Sequence, residues 1–424
     1  MSLIEAGRHT SSRFFAALAY RDYRTMWLAT MSAGGAAWAL IVARGTLVFT
    51  MSGSSSWVGL VTFAAMIPMF FVPPMAGLFA DRWDRKKMLA WIFGFQVITN
   101  ALLAALVLSG EVELWHIAVL SLVNGIIRAA QMPAAQALGP NLVPRDKLEN
   151  AVALNAATQH TSRLLGPMLI APLLATVGAG WAFVLCTVLY SIALVMITRI
   201  RTVSTGVVDT RRGTVTNLMA GLYFIYGHTL LRQLVLLMVL HCALVMAVES
   251  MIPVLSQERL GGADASFAYF MMAEGGGAMV TVVGIAGVQS EKNRGRLLLW
   301  MGLVSGLGNL GLAASQNMTI ALIAAAVMGG AQGGFMTLTA VIIQSIVPDS
   351  IRGRVSSIYM LHIGGMMAIF NLVNGNLADV YGAPTVLAVT STAFLGVLAM
   401  SLGLAPLRAL YFTGSRTALG PQTA

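Results

Sequence analysis

Arg128, Arg163, Glu274 and His241 stand inside long apolar runs of this chain, as do His160 and His362. An ionisable side chain at the centre of a bilayer costs about 2.5–3.5 kcal/mol on insertion scales, so such residues are functional candidates by default. Their chemistry would be proton exchange or ion pairing, with a carboxylate that titrates, a guanidinium that holds it, and an imidazole that relays near neutral pH. At about 1.5 Å per residue, Arg163 lies about 18 Å into its run, near the midplane. Glu274 is followed by Gly275, Gly276 and Gly277, and glycines let another helix approach closely. Arg44 and Glu249 lie nearer the ends of their runs and read as snorkelling side chains. A second cluster is Gly77 to Lys87, G-L-F-A-D-R-W-D-R-K-K, with acids and cations packed between two apolar runs. Lys86 and Lys87 there read as anchors to lipid headgroups.

The elements that position these residues must be membrane helices. The chain has 424 residues, 57% hydrophobic and 10% charged, with a mean hydropathy of +0.79; soluble domains carry about 25% charge. A helix needs about 20 apolar residues to cross lipid, and alternating ten-residue barrel segments are not seen. Twelve spans are expected near 25–50, 57–80, 88–108, 114–138, 151–176, 181–199, 231–255, 266–288, 297–315, 319–346, 356–380 and 384–404. Pro133 and Pro140 interrupt the fourth and fifth runs, which neighbouring helices can tolerate.

The net charge of +10 is a matter of placement. Of the 26 Lys and Arg residues, 21 fall on one face, Arg232 sits at its edge, Arg44, Arg128 and Arg163 fall inside spans, and only Arg259 lies on the other face. That bias puts both termini in the cytoplasm and argues against nucleic acid as a partner. Residues 1–24 are polar and basic and read as a cytoplasmic segment, with Phe14, Phe15, Leu18 and Tyr23 suited to a short interfacial helix. The two cysteines, Cys186 and Cys242, lie inside apolar spans and read as packing; no metal site or cofactor is expected.

The chain also repeats. Gly125, Met132, Val143 and Pro144 recur at one constant separation as Gly329, Met336, Val347 and Pro348. Gly77 with Asp81 and Arg82 is echoed by Gly287 with Glu291 and Lys292 at nearly the same separation. The expected domains are therefore a six-helix bundle over 25–199, a cytoplasmic linker over 200–230, a second bundle over 231–404 and a tail over 405–424. In the linker, Leu218, Leu222 and Ile225 fall on one side of a surface helix. Two pseudo-symmetric halves form a transporter architecture.

Gly77–Lys87 resembles the signature loop of the major facilitator superfamily, G-x-L-A-D-R-x-G-R-K-K, with Asp84 in place of the second Gly. Arg128 to Pro133, Arg163-Leu-Leu-Gly-Pro and Arg352-Gly-Arg-Val-Ser resemble the drug:proton antiporter group that includes macrolide and siderophore exporters. The resemblance covers nearly the whole chain and implies an all-α, twelve-helix major facilitator fold. It implies that Gly77, Asp81, Arg82 and Arg85 form a gating latch, with Asp81 at the start of span 11 near Val355, where a helix N-terminus favours a carboxylate. It implies that span 5 packs on span 8, so that Arg163 and Glu274 pair, and that Arg128 with Gln131 belongs to the proton-coupling element. The absence of Gly after Gln131 and of the closing Gly pair at Ile170-Ala171 departs from the antiporter pattern.

The function expected is secondary active efflux of a bulky amphipathic small molecule, drug or siderophore-like, coupled to protons by alternating access. Gln131, Met246, Met271, Asn371 and Asn374 are the candidates for the substrate cavity, since methionine adapts to irregular ligands. A lipid or lysolipid flippase and an uncoupled facilitator or importer are the alternatives on the same fold. The chain carries no H-E-x-x-H, no phosphate-binding Gly-rich loop with Lys-Ser/Thr and no paired intramembrane aspartates, so an enzyme is not expected. A monomer in the inner membrane of a bacterium, in contact with lipid, is expected.

Overall fold

The computed structural model describes residues 16–202, 214–259, 265–348 and 351–415, and every regular element among them is helical. Eleven of these helices are long and apolar enough to cross a membrane. The helix in the fifth position, Leu148–Thr176, is 29 residues long. Its first half carries Asn150, Asn155, Gln159 and Arg163, and it does not count among the eleven.

Local chemistry sets the helix ends. Asp84, which replaces the family glycine, is the N-cap of Arg85–Ser109. Its Oδ1 accepts from the Lys86 amide at 2.9 Å and the Lys87 amide at 3.4 Å, satisfying donors that the first turn leaves free. Gly110 ends the same helix with φ of 78°, a conformation that favours glycine. Lys86 is more than a headgroup anchor, because its Nζ donates to the Ile200 carbonyl at 2.6 Å, just past Ala179–Thr198.

Two spans are broken. Span 2 is Ser55–Met66 and Pro68–Arg82, joined through Ile67. Span 7, expected to run unbroken over 231–255, instead comprises Thr229–His241, a π-turn over Cys242–Met246, an irregular stretch over 247–251 and the short helix Ile252–Arg259. Pro253 has no amide to donate back and its ring crowds the preceding turn, so the helix must restart there. The expected linker helix is Thr214–Gly227. It packs on Arg352–Tyr381 with Ile225 fully buried, and Gly221 lies against the Arg354 backbone. Of the expected N-terminal interfacial helix, Phe14 and Phe15 lie outside the described residues, and Ala16–Ala19 is a 3₁₀ turn before Arg21–Ser52.

Packing groups the described residues of Met1–Ala43 and Phe71–Thr210 into one compact unit, and those of Arg44–Phe70 and Arg211–Ala424 into another. In the first, Arg85–Ser109 packs on Leu114–Leu138 and Ala179–Thr198. In the second, Ser266–Ile285 and Glu291–Ala314 pack on Met318–Ile346, and Ser55–Met66 packs on Arg352–Tyr381. By packing, then, residues 44–70 join the second unit although they precede the linker.

Candidate functional site

In the first unit the two intramembrane arginines share one aromatic ring. The Arg163 guanidinium carbon is 4.9 Å from the Trp38 ring centroid and that of Arg128 is 6.0 Å away. An indole face attracts a desolvated cation by about 0.5–2 kcal/mol. Small residues make this stacking reachable. A Cβ on Gly166 would meet the Gly35 carbonyl and lie 2.9 Å from the Trp38 Cβ, so the Leu148–Thr176 helix lies directly on Arg21–Ser52. A Cβ on Gly34 would lie 2.5 Å from the Ser162 Oγ. Gln131, one turn from Arg128, is half-buried. A cavity of about 260 Å³ lies near one end of this unit, lined by Tyr23, Trp27, Thr30, Gln136 and Asn155 among others. Ligand pockets run to about 300–1,000 Å³, so this cavity is too small to enclose a bulky molecule whole.

In the second unit the break in span 7 is the centre. Unwinding frees carbonyls that have no water to turn to at membrane depth. Buried amides from other helices take them. Asn309 Nδ2 and Gln332 Nε2 donate to the Val245 carbonyl at 3.0 and 3.2 Å. Asn374 Nδ2 donates to the Ala247 carbonyl at 2.9 Å. Asn371 both donates to Glu249 Oε2 at 2.8 Å and accepts from the Ser250 amide at 3.1 Å. Glu249 and Arg44 do not snorkel: they are 5% and 7% exposed, inside the unit. Glu274 is 3% exposed, beneath Gly329, where a Cβ would strike the Glu274 backbone. The helix that the three glycines admit is Met318–Ile346, since a Cβ on Gly277 would meet the Ala326 carbonyl.

The remaining sequence candidates fall as follows. Asn371 and Asn374 are occupied in holding span 7. Met246 belongs to the buried core of the second unit and Met271 is fully buried. His241 is enclosed, its Nε2 2.8 Å from Ser305 Oγ and its ring 4.3 and 4.9 Å from the rings of Phe335 and Phe394. His362 lies 2.9 Å from the Tyr226 hydroxyl of the linker helix. Arg85 opens the Arg85–Ser109 helix. The side chains of Asp81, Arg82 and His160, and the surroundings of Gly77, lie outside the described ones. Arg163 belongs to the first unit and Glu274 to the second.

Residues 12–411 match the family described as transmembrane secretion effector. The chain belongs to this family of major facilitator transporters. It is 23% identical over 346 residues to the staphyloferrin A transporter of Staphylococcus aureus, covering 79% of this chain and 84% of that one. It is 23% identical over 373 residues to the multidrug efflux pump Tap of Mycobacterium tuberculosis, covering 84% and 86%. The solved structure of the nucleoside transporter NupG has the same fold, with a TM-score of 0.75 at 12% identity over 92% of this chain and 99% of that one. The chain is thus a multi-pass membrane transporter of the major facilitator fold and not an enzyme.

Sequence reasoning missed Trp38, Asn309 and Gln332. Polar amides inside apolar runs were the available signal for the last two, since a buried amide must find a partner.

Proposed function

We propose that this transporter exports a bulky amphipathic molecule, drug or siderophore-like, in exchange for protons by alternating access, as a monomer with both termini in the cytoplasm. The observation that carries the coupling is Glu249, a buried carboxylate at the break of span 7, tied to Asn371. The unwound stretch of span 7 sets this carboxylate among backbone carbonyls, and discontinuous helices are used by transporters to bind substrate and coupling ions. Glu274, equally buried, supplies a second carboxylate, and pairing with Arg163 in one state of the cycle would let proton binding release a cation. The Arg128–Trp38–Arg163 stack offers positive charge beside an aromatic face, suited to an anionic or aromatic part of the cargo. The efflux named for the relative Tap supports the direction.

The test is purified protein in liposomes with an imposed proton gradient and ethidium as the fluorescent probe, beside a labelled lysolipid. Gradient-dependent ethidium movement that Glu249→Gln uncouples supports the proposal. Gradient-independent lysolipid movement favours the flippase. Unchanged gradient-driven transport in both Glu249→Gln and Glu274→Gln removes the carboxylates from the coupling path.

A further inference from the structure

Span 2 starts with three serines, and span 11 ends with Asp379. All of these residues lie in the second unit. The Asp379 carboxylate takes the first two amides of Ser55–Met66, and the N-cap Ser54 hydroxyl takes the Trp57 amide. Its Oδ1 accepts from the Ser55 amide at 2.7 Å. Its Oδ2 accepts from the Ser56 amide at 3.0 Å and from the Ser54 and Ser56 hydroxyls, each at 2.5 Å. A carboxylate with several donors at a helix N-terminus combines charge-assisted hydrogen bonds with the helix dipole. The backbones below meet without side chains between them. A Cβ on Gly375 would lie 2.5 Å from the Ser55 carbonyl, and one on Gly59 would lie 2.7 Å from the Asn371 carbonyl.

The sequence around Asp379 is informative. Gly375-Asn-Leu-Ala378-Asp379 repeats the pattern of Gly77-Leu-Phe-Ala80-Asp81. One pentad ends span 2 and the other ends span 11, and these two spans run in opposite directions in the twelve-span topology. The carboxylate that ends span 11 caps the start of span 2, at the membrane face opposite the signature loop.

We infer that Asp379 is a gating residue on the outer face, the mirror counterpart of the latch expected at Asp81. It positions span 2 and acts on transport only through that contact. Ser55–Met66 belongs by order to the first six spans, so opening the outer end requires it to leave Arg352–Tyr381. Asp379 and the glycine seam at Gly59 and Gly375 favour the closed outer end. This role rests on alternating access but not on the identity of the cargo or on protons.

Spin labels at Leu60 and Val380 report the outer contact, and labels at Trp83 and Met360 report the inner end. The full chain in lipid nanodiscs is measured by pulsed electron paramagnetic resonance. Asp379→Asn and the Ser54→Ala/Ser56→Ala pair are each expected to raise the ratio of long to short Leu60–Val380 distances by about tenfold, the weight of losing bonds to a charged group. Asp379→Glu should restore much of the short population, and Gly59→Ala should mimic the loss with Asp379 intact. The inner labels should shift toward short distances in the same variants. An unchanged outer distribution in both Asp379→Asn and the serine pair overturns the latch while leaving transport standing. If neither label pair shows two populations in any protein, alternating access itself falls.

Discussion

Trp38 and Asn374 show how single residues carry charge and backbone into a lipid-surrounded interior. Trp38 offers its ring face to two guanidiniums at once. Trp38→Ala is expected to lower transport about three- to tenfold, while Trp38→Phe keeps part of the ring face and loses less. Initial rates in proteoliposomes check this. Asn374 has a different duty, since its amide satisfies the Ala247 carbonyl in the broken stretch of span 7. Asn374→Leu leaves that carbonyl buried and unpaired, a loss of about 1–3 kcal/mol. A clear drop in the thermal unfolding temperature of the purified protein is the expected outcome, and a change below that of a surface variant would count against the role. Neither duty could be read from the sequence in advance. Both residues were visible as polar or aromatic groups in apolar runs, but their partners sit on other helices.

At the level of elements, caps and interruptions decide where helices begin and bend. Asp84 departs from the family signature yet serves the same turn, by capping Arg85–Ser109 with two amide bonds. Asp84→Ala is expected to destabilise the protein by about 1 kcal/mol, and Asp84→Gly, which restores the family residue, by only a few tenths. Comparative unfolding of the two variants distinguishes a capping role from a purely charged one. Pro68 and Pro253 explain why spans 2 and 7 resume as new helices. Both spans were expected to run unbroken, and a proline alone does not foretell a break, since Pro133, Pro167 and Pro172 lie inside continuous helices. The π-turn at Cys242–Met246 was not legible either, because nothing in C-A-L-V-M itself disfavours an ordinary helix; amides from three other helices hold it open.

At the level of the whole molecule, charge asymmetry sets orientation. Basic residues crowd one set of loops, and the opposite set is acidic or neutral apart from Arg259. A cysteine introduced at Glu111 should react with an impermeant maleimide added to intact cells, and one at Lys292 only after permeabilisation. The reverse pattern would invert the proposed topology and place the Asp379 cap on the inside.

Composition and apolar run length sufficed for the membrane habit and the helical class, because each follows from local chemistry repeated along the chain, while the superfamily was legible only in the resemblance of Gly77–Lys87 to a signature loop. Tertiary structure alone decided which polar groups meet. The amides that hold span 7 come from 64, 87 and 127 residues away, and Asp379 reaches its serine amide across 324. Such partners are selected by packing in three dimensions, where a lone buried carbonyl or amide must be answered by whichever helix lies beside it. The sequence lists the groups that need a partner; only the fold chooses the partner.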